Sequence, residues 1–408
     1  MKVLIVTENA YSGGLDTFLI TLINSWPNAE DRLTLVCNTN HPGLSFVRRS
    51  VVRQCEVIGH DYPLPWPTTT MSRARRLLLF PFRLLERQLL FVRYLRIFRE
   101  LFDRTGAERL LVVNGGYPAG LTCRAATVAW GMAGRRPQSI HNFHNFSHPP
   151  RVWERPFEYV IDRLVHRHAG AMVSVSRICA LSLENRSAFR GSTKVTHIPN
   201  GISYRPAKAT RAEVRAELGV PPDAPLLLML GTYEVRKGHE FLLQAFGQVL
   251  ETSPFAWLAI CGFGYPAEIE RVRAAVASLS LDDRVLLLGF REDVPDLLEA
   301  SDILLVPSQA SESFGLTIVE AMSHSVPVIA TRIGGIPEVI EDGDGGYLVA
   351  RDDVVGLARR IVLLLGDEAL RREQGRRGLA RFEERFGAER MARAYAEMLH
   401  RGQIEPGV

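Results

Sequence analysis

Short runs of Val, Ile and Leu, three to five residues long and nearly free of charge, recur along this chain between longer amphipathic segments. Runs of this kind suit strands buried on both faces, in parallel sheets with helices covering each side. In the first half they are Val3–Val6, Leu33–Cys37, Glu56–Ile58, Leu110–Val113, Ser139–His141, Ala171–Val175 and Val195–Ile198. In the second half they are Leu226–Leu230, Trp257–Cys261, Val285–Leu288, Ile303–Val306 and Val326–Ala330. Each set is long enough for its own doubly wound sheet, so the expected class is α/β with two Rossmann-like lobes facing a central cleft. The stretch from Pro199 to Pro225 carries five prolines and marks the boundary. The expected division is 1–198, 199–385 and a C-terminal helix over 386–408 that packs back on the first lobe. Residues 352–403 read as charged and helical. Ligands of such sheets bind at the carboxyl ends of the strands, but fold alone does not choose the reaction.

Composition narrows the class. With 46% hydrophobic and 23% charged residues, the chain is neither disordered, collagen-like nor a disulfide scaffold. The formal net charge is only +4, so charge says little until its distribution is read. Among the 49 basic residues the lysines are Lys2, Lys194, Lys208 and Lys237, the rest being arginines; a retained lysine marks a site where Arg would not fit. Five scattered cysteines without a C-x-x-C pair suit buried thiols in a reducing compartment. The first residues lack a signal peptide's apolar core, and no run of 18 or more uncharged apolar residues occurs. The expected location is therefore cytoplasmic.

The sharpest local signal runs from Ser311 to Ala330. A strand ends at Val306, Pro307-Ser308 follow, and a polar loop carries Glu312. Phe314-Gly315 then open a helix that carries Glu320. Glycine lets a ligand approach the backbone, and a helix start with free N–H groups is an anion site. Carboxylates beside such a site suit hydroxyl groups, as on a sugar or ribose. Taken alone, the pair reads more readily as a first-turn Glu favoured by the helix dipole and a solvated Glu further on.

In its wider setting this stretch resembles the E-x7-E signature of the retaining glycosyltransferases of family four, which have the GT-B fold. The resemblance continues in order along the chain. Gly231-Thr232-Tyr233-Glu234-Val235-Arg236-Lys237-Gly238 looks like the family's phosphate-binding strand-loop-helix. Cys261-Gly262-Phe263-Gly264, Leu288-Gly289-Phe290 and Gly334-Gly335-Ile336-Pro337-Glu338 match its further loops. The first half offers Ser12-Gly13-Gly14, Ser174-Val175-Ser176 and Ile198-Pro199-Asn200-Gly201.

The resemblance implies a nucleoside-diphosphate-sugar donor. Arg236 and Lys237 would neutralise its diphosphate, Glu312 would hold sugar hydroxyls, and the backbone at Phe314, Gly315 and Leu316 would hold phosphate or sugar. Glu320 would hold the ribose, Phe290 would face the base, and Gly13 and Gly14 would approach the diphosphate from the first lobe. Lysine near a helix start is disfavoured by the dipole, which itself argues for a role for Lys237. No cofactor is expected and no Asp-x-Asp metal loop is evident. The chain departs from the family at Thr232, where arginine is usual, so Arg236 is the candidate to replace that contact. Turn variations occur at His324-Ser325-Val326 and at Ser203.

The segment Ser139-Ile140-His141-Asn142-Phe143-His144-Asn145-Phe146-Ser147-His148 collects histidines. His141, taken at the carboxyl end of a strand, is the expected catalytic histidine near the reacting carbon, with His144 the substitute. The H-x2-H-x3-H spacing also suits zinc but lacks a fourth ligand. His148 reads as a loop residue.

Residues 71–104 hold nine arginines against three acids, a net +6. Leu and Phe run between them, the pattern of an interfacial helix on an anionic membrane. An ordinary packed helix with solvated arginines is the other reading, and nucleic acid is excluded by the apolar stripe and the lack of a recognition motif. The function expected is retaining hexosyl transfer to a glycan or lipid-linked acceptor in cell-envelope or exopolysaccharide synthesis, peripheral at the inner membrane face. The alternatives are a nucleotide-sugar epimerase of the same fold and a non-catalytic sugar-nucleotide-binding subunit.

Overall fold

The structure, a computed structural model, describes residues 1–10, 13–63, 79–135 and 139–401. The chain divides into two compact units: Met1–Pro199 joined by the chain from Met391, and Asn200–Arg390.

The first unit is built on seven parallel strands: β1 (Lys2–Glu8), β2 (Arg32–Asn38), β3 (Cys55–His60), β4 (Arg109–Asn114), β5 (Ser139–Phe143), β6 (Ala171–Ser174) and β7 (Val195–His197). Their order is β3-β2-β1-β4-β5-β6-β7. Because side chains alternate along a strand, β1 feeds both layers. Leu4 and Val6 join Val112 and Phe143 beneath helices Phe80–Thr105, Leu121–Met132 and Arg155–His168. Val3 and Ile5 join Leu35 and Leu111 beneath helix Gly14–Asn24. Helix Ala388–Arg401 lays Met391, Ala392, Tyr395 and Leu399 into that second layer, and the Tyr395 hydroxyl accepts from Asn142 Nδ2 at 2.7 Å.

The second unit has six parallel strands: β8 (Leu226–Leu230), β9 (Trp257–Cys261), β10 (Val285–Leu288), β11 (Ile303–Val306), β12 (Val328–Thr331) and β13 (Gly346–Val349). Their order is β10-β9-β8-β11-β12-β13. The apolar runs anticipate twelve of the thirteen strands. β13 escapes because it opens on Gly346, whose backbone at φ 146° passes so close to β12 that a Cβ would lie 1.8 Å from the Val328 oxygen. The charged C-terminal stretch forms helices Val354–Gly366, Glu368–Arg385 and Ala388–Arg401.

Both sheets reverse their winding between adjacent strands, β1 and β4 in one and β8 and β11 in the other. The chain leaves such a pair toward opposite faces, which opens a crevice at the carboxyl ends. In the second unit helix His239–Thr252 follows β8 and helix Leu316–Ser323 follows β11.

Candidate functional site

The second unit's crevice is framed by the loop after β8 and the loop after β11. They are fastened backbone to backbone: the Arg236 carbonyl accepts from Gln309 N–H at 2.7 Å and Ala310 N–H at 3.3 Å. Gly238 permits this. It has φ 78°, and a Cβ there would lie 2.0 Å from the Pro307 oxygen, so no other residue fits without moving a loop. The β9 loop is held as tightly. Gly231 N–H donates to the Cys261 carbonyl at 3.0 Å, and a Cβ on Gly262 would lie 1.9 Å from the Gly231 oxygen.

The charged side chains converge on this frame. Lys237 Nζ lies 2.6 Å from Glu312 Oε2, and Arg236 Nη1 lies 3.8 Å from the same oxygen. Arg236 is also clasped by Glu234, Nε to Oε2 at 2.6 Å, while Thr232 Oγ1 donates to Glu234 at 2.7 Å. Burial acts to raise the Glu234 carboxyl, but the hydrogen bonds from Arg236 and Thr232 outweigh it and hold the pKa below its usual value. Glu234 is the site residue that sequence reasoning passed over. The signal was present in Thr232-x-Glu234-x-Arg236, a spacing that a 3-10 turn over Val235–Lys237 folds into contact.

Gly315, at φ 101°, precedes helix Leu316–Ser323, whose first N–H groups have no partner within the helix. Phe314 is buried against Phe386 at 5.9 Å, so this position can offer a ligand its backbone but not its ring. Glu320, in the helix's second turn, is 22% exposed, with Arg205 Nη2 at 3.9 Å. Burial pushes its carboxyl up from 4.5 to about 7, against the opposing pull of Arg205. Beyond β10, Phe290 is 70% exposed. One unit thus gathers Arg236, Lys237, Glu312 and the helix start. The arrangement can take an anion between two cations and offer carboxylates to hydroxyl groups.

The first unit's carboxyl edge differs. Gly13 opens helix Gly14–Asn24, and its N–H donates to Asp16 Oδ2 at 3.0 Å. Asp16 is buried and also meets His41 Nε2 at 2.8 Å. No described residue lies within 4 Å of a Cβ built on Gly13, so packing among them does not require glycine there. Ser12 lies outside the described residues, as do residues 71–78 of the arginine-rich segment.

The histidine assignment needs correcting. β5 continues to Phe143, two residues past its expected end, so His141 lies inside the strand and not at its carboxyl edge. It is fully buried, with Nδ1 bonded to Thr127 Oγ1 at 2.7 Å. Burial, helped by Arg124, pushes its pKa down to about 3. His144 is the histidine that follows the strand end. Its ring meets Phe18 edge-on at 4.3 Å, its Nε2 has no hydrogen-bond partner among the described residues, and burial pushes its pKa down to about 3. His148 is exposed. Among the described residues, no group of three metal-capable side chains gathers anywhere.

Residues 210–381 match the family model described as Glycosyl transferases group 1. The chain is 37% identical over 188 residues to N-acetyl-alpha-D-glucosaminyl L-malate synthase of Bacillus anthracis, covering 46% of this chain and 48% of that protein. It is 34% identical over 207 residues to D-inositol 3-phosphate glycosyltransferase of Streptomyces bingchenggensis, covering 48% and 44%. The chain thus spans about half the length of the curated relatives it matches. Among solved structures, Anabaena Alr3699/HepE in complex with UDP superposes with a TM-score of 0.76 at 22% identity, covering 98% of this chain and 100% of that one. A glycosyltransferase from Rickettsia africae gives 0.77 at 17% identity, with 98% of each chain covered. The chain therefore has the GT-B fold, and residues 210–381 match the model of the group 1 glycosyl transferases.

Proposed function

We propose that this protein transfers a hexose from a nucleoside-diphosphate sugar to a glycan or lipid-linked acceptor, with retention at the sugar carbon. The observation that carries the reading is the meeting of Lys237, Arg236 and Glu312 at the β8/β11 switch point, beside the start of helix Leu316–Ser323. Without ligand, the two cations rest on a carboxylate. A bound diphosphate takes over both, and Glu312 is released to accept from donor-sugar hydroxyls. Glu320 holds the ribose and exposed Phe290 meets the base. A relative named as a glycosyltransferase, and a neighbour solved with UDP, support the donor class.

The chemistry follows from charge. The bond between the sugar carbon and the diphosphate oxygen breaks, and its electron pair stays on the diphosphate. Lys237, Arg236 and the amides of residues 314–316 stabilise that charge as preorganised donors, each worth roughly 100- to 1,000-fold in rate. The acceptor oxygen bonds to the same face of the sugar and gives its proton to the departing phosphate oxygen. The acceptor is taken by the first unit, where His144 is the candidate at the strand edge. Cell-envelope or exopolysaccharide assembly is the setting we assign.

The test is nucleotide release from a panel of UDP- and GDP-sugars, with and without acceptor, for wild type and Lys237→Ala. Release that requires acceptor and fails in the variant is expected. If no donor shifts the melting temperature and the variant matches wild type, the diphosphate role is wrong. Conversion of a donor to its epimer without acceptor would favour an epimerase.

A further inference from the structure

The helices Phe80–Thr105, Leu121–Met132 and Arg155–His168 share one core cluster on one face of the first sheet. The middle helix is buried from Leu121 to Gly131, so the outward faces are those of the first and third. On the first helix that face carries Phe82, Leu85, Leu89 and Val92, each more than half exposed. Their spacing of three, four and three residues makes one stripe, directly opposite the buried Phe91, Tyr94 and Phe98. The same side continues into exposed Arg93, Arg96 and Arg99.

The third helix and the turn before it repeat the pattern. Val152, Trp153 and Val160 are each more than half exposed, and Phe157 and Tyr159 are exposed beside them. Arg151, Arg155, Arg163 and Arg167 stand among them, all exposed. The Arg151 guanidinium lies 6.0 Å from the Trp153 ring, and Arg163 lies 5.9 Å from Tyr159. An open hollow of about 610 Å³ runs along this helix, lined by Tyr159, Val160, Arg163, Leu164, His166 and Arg167. The two helices are tied near their starts, because Arg87 reaches Glu158 at 2.6 Å and Glu154 at 3.9 Å. Two exposed acids stand on the first helix's far half: Glu100 shares this face with the arginines, and Asp103 is paired with Arg135 at 3.0 Å.

Large apolar side chains left exposed in such groups mark contacts. We infer that this outward face is a docking surface for an anionic lipid bilayer. Its chemistry decides the occupant. Aliphatic and aromatic tips enter the boundary between headgroups and acyl chains, while seven arginines reach the anionic headgroups. A second copy of the chain would set those arginines against their like. A nucleic-acid backbone would leave the apolar stripe without a partner. Among the described residues no helix is long and apolar enough to cross a membrane, so the contact lies on the surface.

The inference stands apart from the donor site and is tested without activity. The full chain is sedimented with phosphatidylglycerol vesicles and with phosphatidylcholine vesicles, at low and high salt. Pelleting with the anionic vesicles alone, relieved by salt, is expected. Leu85→Glu with Leu89→Glu should lower partitioning at least tenfold with an unchanged melting temperature, since both positions are exposed. Arg163→Glu and Arg167→Glu should each cost about fivefold. No pelleting, equal pelleting on both lipids, or variants that bind like wild type would overturn the inference. So would concentration-dependent self-association without lipid that Leu85→Glu abolishes, which would make the face a contact between copies.

Discussion

The two sheets turn at equivalent places, β1/β4 and β8/β11, yet the loops leaving those strands carry opposite chemistry. After β8 and β11 come Arg236, Lys237 and Glu312, with side chains interlocked. After β1 and β4 come residues 9–13 and 115–120, which contain no Lys or Arg. Their fixed charges there are carboxylates: Glu8 accepts from Thr122 N–H at 3.1 Å, and Asp16 closes the Gly13 turn. A common topology thus supplies two crevices, and among the described residues Lys and Arg side chains gather in the second unit's crevice. Position in the fold offers a site, and the side chains there decide its ligand.

The largest test of this contrast is Lys237→Ala. Losing a donor aimed at a developing anion is expected to cost roughly 100- to 1,000-fold in kcat, with little change in melting temperature. A kcat within threefold of wild type would erase the distinction between the crevices.

The histidines sharpen the contrast within the first unit. His144→Ala should lower kcat by roughly 10- to 100-fold if it works at the strand edge. His141→Ala should instead cost about 2 kcal/mol of stability, because it empties a closed, hydrogen-bonded position, while activity per folded molecule stays near normal. Denaturant titration and steady-state kinetics on both variants separate the roles, and the opposite pattern would restore His141.

Glu320 gives the second unit a dependence on pH. Its folded carboxyl, raised from 4.5 to about 7, binds its proton more tightly than the unfolded chain does. The stability this contributes is fully present below pH 4.5 and is lost as pH rises through about 7. Glu320→Gln should therefore be more stable than wild type at alkaline pH, by about 1–3 kcal/mol. If the ionised form holds the ribose, donor KM in wild type should fall as pH rises through that value, and Gln should flatten the profile. A wild-type KM independent of pH would remove Glu320 from the ribose.

Smaller effects complete the series. Phe290→Ala should raise donor KM about tenfold through lost stacking and leave stability alone, since the ring is exposed. Gly13→Ala should leave the melting temperature unchanged, because no described residue lies within 4 Å of the added carbon. A drop in its stability would show that the turn needs glycine for itself.

Much of this was legible in the chain. Runs such as Leu226–Leu230 and Leu110–Val113 announce buried parallel strands because burial on both faces leaves no polar residue in them. The loops after β8 and β11 could be named because each lies next to its strand in sequence. The clasp of Glu234 on Arg236 was written in their spacing, but it needed the 3-10 turn to become a contact. His141 went astray because strand ends are weakly encoded: Asn142 and Phe143 extend β5 through pairing with Val113 and Asn114, which neighbouring strands supply. The stripe at residues 82, 85, 89 and 92 was visible as apolar periodicity, yet periodicity does not say which side of a helix meets the core.

The sequence by itself determined the class of fold, because buried parallel strands are written in local composition and order. Only the tertiary structure decided that Lys237 meets Glu312 across 75 positions of chain, that His141 is sealed while His144 stands at the strand end, and that the apolar stripe faces outward. Such facts arise from packing between distant segments, and no single segment contains the partner that fixes it.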